Sequence, residues 1–526
     1  MKKIVYILLS VFILSSCQED LLTTVPDDRI STEIFWQTEN DAILAANAVY
    51  PTLDGNAIFA YDGITDVVHT NRLFDDNSII EAGNADATLS RFLNEWDADY
   101  TAIRRVNDFM ENIDRIETDN TGLINRLKGE VRTIRAYHYT KLAMLFGDVP
   151  LIISNINVEE GKTITRDAVS SIWDFVSTEL TQAAEDLPKE YTGDDKGRVT
   201  KGAALALKAR AMLFAGRYSE AATAAKQVMD LQVYSLYNSY EDLFQYEGEN
   251  CNEVILDRQF AKDVLANNYY NVIGPWSLIP GSAGSVYVPT KKLMDMYEMK
   301  NGLSITDSES GFDPQNPYEN RDPRLKQSVF VTGASLPNGK TFNSIPGDAA
   351  ATDPVGGTLY TTATGWNIKK YIANSDFDTP ANSGINLILI RYAEVLLTYA
   401  EAKIEMNEID ASVYSAINDV RARESVDMPA IASSLSQGQL RDIVRKERTI
   451  ELAFEGTRLF DIRRWRIAHE VMPGKVYGMT YNDNGTLVTV NIDGYNRVFD
   501  EGRDYLWPIP QRERELNPNL EQNPKY

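Results

Sequence analysis

Glu447, Glu451 and Glu455 stand at i, i+4 and i+8, a spacing that places three carboxylates on one face of a helix. Arg441, Arg445 and Arg448 run beside them. Paired carboxylates can act as the acid and base of a glycosidase or bridge two metal ions. The helical di-metal site adds a Glu-x-x-His partner, and none of His69, His138 or His469 supplies one. With 76 acidic residues such spacing arises cheaply, so the stripe is read as an ion-pair network between packed helices. The phosphate-cradling G-x-x-x-x-G-K-[ST], G-x-G-x-x-G after a strand, H-E-x-x-H and C-x-x-C are all missing from the 526 residues. "GSAGS" (281–285) has Ala283 where a nucleophile elbow needs serine. The oxygen-rich "NDNG" (482–485) and "DPQNPYENRD" (313–322) lack a complete twelve-residue calcium loop and read as turns. No catalytic group, cofactor or metal is expected.

Binding of sugars needs different chemistry. A pyranose offers an apolar C–H face to tryptophan or tyrosine, while its hydroxyls meet Asp, Asn, Arg and Gln. The best aromatic platform is 269–287, with Tyr269, Tyr270, Trp276 and Tyr287 among glycines and prolines. The second candidate is the polar stretch 61–77, with Asp66, Arg72, Asp75, Asp76 and Asn77. Trp96, ahead of a long helix, and Trp366, in loop-rich sequence, complete the set. Trp36, Trp173, Trp465 and Trp507 lie in helical or C-terminal strings and are expected in the core.

These residues need a scaffold. "LINRLKGEVRTIRAYHYTKLAMLF" repeats apolar residues at three and four, and Gly147 with Pro150 stops it, which predicts a long helix over 123–146. "TKGAALALKARAMLFAGRYSEAATAAKQVMDL" breaks at Gly216 into two alanine-rich helices of the tetratricopeptide type. Related patterns return in "LILIRYAEVLLTYAEAKIEMN" and "GQLRDIVRKERTIELAFEGTRLFDIRRWRIAH". Residues 231–386 are rich in Gly, Pro, Asn, Asp and Ser and read as long loops. Around "NDNG" the alternation predicts a β-hairpin. The expected architecture is mainly α: a helix-pair scaffold with a loop-rich face and a few short β-hairpins.

Net charge is −24, which argues against a nucleic-acid partner. The N-terminus follows a cationic "MKK", an apolar run to Leu14 and then "SSC". That pattern predicts a lipoprotein signal over 1–16 and an acylated Cys17 that tethers the mature chain by lipid. Residues 17–526 are expected to form a single domain.

Six strings, in order, resemble the SusD/RagB family of outer-membrane lipoproteins: "STEIFWQTENDAILAANAVYPTL", "GEVRTIRAYHYTKLAMLFGDVPLI", "NPYENRDPRL", "RYAEVLLTYAEAKIEMN", "RKERTIELAFEGTRLFDIRRW" and "YLWPIPQRERELNPNLEQNPKY". The resemblance implies four tetratricopeptide-like helix pairs. It also implies a non-enzymatic lipoprotein that captures a glycan and passes it to a SusC-like TonB-dependent β-barrel transporter. "QED" after Cys17 is similar to the family's surface-export signal, which implies a place facing the cell surface. Capture of peptides or glycopeptides, as in the RagB branch, is the alternative, and a surface glycoside hydrolase a more distant one.

Overall fold

A ladder of antiparallel helices forms the frame of the computed structural model, which describes residues 35–73, 75–279 and 284–526. Cys17 and the signal segment lie outside the described residues. After α1 (Glu39–Asn47), the helices α2 (Ser90–Asn112), α3 (Thr121–Phe146), α4 (Val169–Asp186), α5 (Lys201–Phe214), α6 (Tyr218–Asp230) and α7 (Tyr392–Glu405) pack each against the next. Helices α8 (Ala411–Arg421) and α9 (Gln437–Glu451) both pack on α7, and α10 (Arg458–Arg464) lies against α5. Among the described residues, no helix is long and apolar enough to cross a membrane.

Local chemistry sets the helix ends. At the start of α3 the Asn120 side chain accepts the Leu123 amide at 3.2 Å. At its end Gly147 takes φ +76°, and a Cβ there would sit 3.0 Å from Leu506. His138, on the buried stripe of α3, places Nδ1 2.7 Å from Asp99 and Nε2 3.0 Å from the Thr52 hydroxyl. It is a core histidine.

Among the described residues, four two-stranded antiparallel sheets punctuate the helices. Three join remote segments: β1 (Val68–Thr70) with β3 (Tyr287–Pro289), β2 (Val254–Arg258) with β6 (Leu387–Arg391), and β4 (Val329–Phe330) with β5 (Asn367–Ile368). Only β7 (Gly474–Asp483) and β8 (Thr486–Arg497) make the local hairpin that "NDNG" predicts. Its two turn residues, Asn484 (φ 50°) and Gly485 (φ 94°), both adopt the left-handed conformation that such a turn requires. Among the described residues, a large apolar core runs from Trp36 to Leu520 beside a small cluster around Ile462 and Tyr505, and the four tryptophans expected to be buried are at most 8% exposed.

The carboxylate stripe is an ion-pair network, but with other partners than its neighbours in sequence. Glu451 meets Arg391 at 2.7 Å, Arg423 at 2.9 Å and Arg324 at 2.9 Å. Glu447 meets Arg324 at 2.5 Å and Arg421 at 2.9 Å, while Glu455 meets Arg391 and Lys370 at 2.7 Å. Arg441 and Arg445 turn instead to Glu405, and Arg448 to Glu401 and Asp461. Asp322 closes the knot on Arg324 at 2.7 Å. Burial alone would raise the Glu451 carboxyl. The guanidiniums of Arg391, Arg423 and Arg324 outweigh it and hold the group well below the usual range.

Asp257, on β2, has the opposite balance. Burial, with the charge of Glu249 adding to it, pushes its carboxyl up to about 7. The folded state therefore binds this proton more tightly than the unfolded chain. The stabilisation is complete below about pH 4 and is lost as pH rises through 7. Asp257→Asn removes that titration, so urea unfolding should show a smaller loss of stability between pH 5 and 8 than in the parent. An unchanged slope would remove Asp257 as its source.

Candidate functional site

The two candidate loop stretches meet. Asn71 and Arg72 follow β1, and β1 pairs with β3 at the end of the 269–287 stretch. The Asn71 side chain donates to the Ser285 carbonyl at 3.1 Å and to the Thr361 carbonyl at 2.8 Å. Arg72 donates to its neighbour's carbonyl at 2.5 Å, to the Leu359 carbonyl at 3.0 Å and to the Gly284 carbonyl. A third loop, 353–361, thus joins the other two. The Asp353 carboxylate accepts the Ser277 amide at 2.9 Å, and the Thr358 hydroxyl accepts the Tyr360 and Thr361 amides. Burial raises the Asp353 carboxyl against these bonds.

Tyr360 rises from this junction, 41% exposed, with the Arg72 guanidinium 5.3 Å from its ring centroid. Leu359 (61% exposed) and Leu73 (68%) stand beside it in the chain and on the facing loop. Trp276 is half-buried one residue before the amide that Asp353 holds. Isolated exposed apolar residues mean little, but a supported aromatic ring with apolar neighbours at a three-loop junction is a built contact surface.

The other sequence candidates do not join it, and the expected platform over 269–287 is corrected accordingly. Tyr269 is fully buried edge-on against Phe59, Phe260 and Tyr371. Tyr270 is equally buried and donates its hydroxyl to the Ala373 carbonyl at 2.5 Å. Tyr287 is 9% exposed, and its ring fills the space that a side chain on Gly63 would need. Trp366 is buried with its indole donating to the Tyr318 hydroxyl at 2.9 Å. Trp96 is buried between Tyr100 and Phe146 in the wall of a separate apolar cleft of about 450 Å³. None of these five rings has a free face for a sugar.

The polar candidates divide. Asp75 caps the short helix Asp76–Glu81 by accepting the Asn77 amide at 2.9 Å. Asp76 accepts the Ser90 hydroxyl at 2.5 Å, and buried Asn77 donates to the Ala60 carbonyl at 3.0 Å. These three hold the loop, while Arg72 reaches the junction. The sequence reading missed Tyr360. Its signal was present in "VGGTLYTTATGW", a glycine- and threonine-rich string with an aromatic at its centre.

Among the described residues, no group of three or more His, Cys, Asp or Glu is arranged to hold a metal. The 313–322 and 482–485 turns spend their oxygens on their own chain: Asp313 accepts the Gln315 amide, and Asn482 accepts the Gly485 amide. The junction presents a ring, a cation and hydroxyls, with no nucleophile and base in hydrogen-bond contact.

Comparison with known proteins gives two matches that together span most of the chain. Residues 252–526 match the family described as the SusD family, and residues 26–213 match one described as starch-binding, associating with the outer membrane. A SusD-like protein of Formosa agariphila is 26% identical over 560 residues, covering 98% of both chains. The crystal structure of a SusD-like carbohydrate-binding protein from Bacteroides fragilis superposes with a TM-score of 0.84 at 29% identity, covering 93% of this chain and all of that one. Surface glycan-binding protein A of Bacteroides thetaiotaomicron, solved with laminarihexaose, shares the fold with a TM-score of 0.71 at 20% identity, covering 92% and 99% of the chains.

Proposed function

We propose, from the premise that this chain belongs to the SusD family of non-catalytic, outer-membrane-associated carbohydrate-binding proteins, that it captures a glycan at the Tyr360 junction for delivery to a SusC-like transporter. The observation that carries the site is the exposed Tyr360 ring, backed by Arg72 where three loops meet. A pyranose stacks its C–H face on such a ring. Leu73 and Leu359 extend the apolar contact, and the exposed Thr358 hydroxyl and the Arg72 side chain meet the sugar's rim. An open surface of this kind binds a polymer along its length rather than enclosing one small molecule.

Membership of the family and the position of Cys17 support the rest of this reading. An acylated Cys17 would hold the protein at the outer membrane on the cell surface, and the β-barrel partner would receive the glycan from it. Surface glycan capture without chemistry predicts a specific pattern in affinity electrophoresis against a polysaccharide panel. At least one glycan retards the protein, and no reducing sugar is released. Turnover of the retarding glycan would overturn the reading. Tyr360→Ala is expected to weaken the retarding glycan by about 1 kcal/mol, or roughly fivefold, the scale of one lost stacking ring. An unchanged dissociation constant would take Tyr360 out of the site.

A further inference from the structure

A second cleft, of about 410 Å³, lies at the base of the β7–β8 hairpin, beside the residues that precede β1 and follow β3. Four cations line it, Lys291, Lys292, Lys475 and Arg497, against two acids, Asp66 and Asp295. In a chain with 52 basic and 76 acidic residues this is a local inversion of charge. Both acids are already engaged: Asp66 meets Arg458 at 2.8 Å, and Asp295 meets Lys291 at 2.7 Å. Arg497 is taken by the buried Glu81. Two ammonium groups are left over. Lys292 donates to the Val471 carbonyl and has no carboxylate partner among the described residues. Lys475 is exposed and has none either.

The neighbouring surface suits a sugar. Lys475 and Tyr477, both exposed, stand two residues apart on β7 with buried Val476 between them, where the hairpin register shifts. Tyr477 is 45% exposed. A cation and a ring close together on β7 line a cleft that the exposed Lys292 lines as well. Burial lowers the Lys292 ammonium's pKa; the charge of Asp66 offsets part of this, and Arg497 and Arg458 add to it. A bound anion would relieve that arrangement.

We propose that this cleft is a subsite for the anionic substituent of a sugar, a uronate carboxylate or a sulfate ester, with Lys292 and Lys475 as its counter-ions and Tyr477 as the surface for the ring. The proposal rests on the glycan-capture reading and names the class of glycan. Asp66 and Arg72 flank the three-residue strand β1, so the cleft and the Tyr360 junction lie no more than about 20 Å apart along it. A polymer can occupy both. The acidity of the whole chain does not oppose this, because charges beyond about 10 Å are screened at ordinary salt while the two ammonium groups act at contact.

The test uses the full chain, with polygalacturonate, κ-carrageenan, and neutral dextran and laminarin as probes. Retention by polygalacturonate would identify the carboxylate as the ligand group, and retention by κ-carrageenan the sulfate. The double variant Lys292→Gln/Lys475→Gln should weaken binding of the retained polyanion by about tenfold, with a shallower salt dependence. Lys475→Glu, at an exposed position that leaves folding intact, should weaken it as well. Equal retention of parent and variants would overturn the proposal. Retention by neutral glycans alone would also overturn it while leaving capture at Tyr360 standing. If no glycan in a broad panel retards the parent, capture itself falls and this subsite falls with it.

Discussion

Glu451→Ala is expected to cost about 3–5 kcal/mol of stability, the largest effect of any substitution considered, because three buried guanidiniums each lose one of their carboxylate partners at once. Arg391, Arg423 and Arg324 all converge on this carboxylate, and each is essentially inaccessible to solvent. Asp322, Glu447, Glu253 and Glu455 remain, but the buried network is left with excess positive charge and unfilled donors, which is far more costly than losing a surface pair. Glu159→Gln, at the exposed pair with Lys162, provides the contrast and should change stability by less than about 1 kcal/mol. Urea unfolding followed by circular dichroism separates the two. A Glu451→Ala loss below about 1 kcal/mol would mean that the network contributes little. The same carboxylate gives a pH signature. Its pKa is depressed in the folded state, so its contribution is full above the unfolded value and fades as pH falls below it.

The second large effect is on binding. Arg72→Ala should weaken the captured glycan by about 2 kcal/mol, roughly thirtyfold, and so by more than Tyr360→Ala. Arg72 does two things at once: it backs the Tyr360 ring, and it ties the 353–361 loop to the Gly284 backbone. Losing it frees the ring and leaves the Leu359 and Gly284 carbonyls without that donor. Titration calorimetry on the retarding glycan measures the change. Arg72→Lys keeps the charge but not the planar fork, and should restore only part of the affinity. Full affinity in Arg72→Ala would show that the loops hold their arrangement without it.

The strings that carry the family resemblance turn out to be the strings that build the buried charge knot. Asp322 and Arg324 come from "DPRL", Arg391 from "RYAE", and Glu447, Glu451 and Glu455 from "RKERTIELAFEG". They were legible because motif and helix period are local properties of sequence. The partners were not. Helical spacing suggested the adjacent Arg441 and Arg445, whereas the fold brings in residues from 26 to 127 positions away.

The site shows the same limit. Tyr269 and Tyr270 sit in glycine- and proline-rich sequence, which suggested exposure, yet "YYNVI" folds as a single helical turn, and Tyr269 packs against Phe59 and Tyr371. Nothing near positions 269 and 270 encodes those distant rings. Arg72 was legible as a polar loop residue, but Tyr360 was passed over in favour of Trp366, six residues on. Composition favoured the larger ring. Exposure favours the smaller one: Trp366 is 3% accessible and Tyr360 41%.

The most direct measurement is a crystal structure of the chain with an oligosaccharide cut from the glycan that retards it. Capture at the loop junction predicts a pyranose ring stacked on Tyr360 within about 4 Å, with its hydroxyls reaching Arg72. A sugar seated instead in the apolar cleft beside Trp96, with Tyr360 bare, would contradict it.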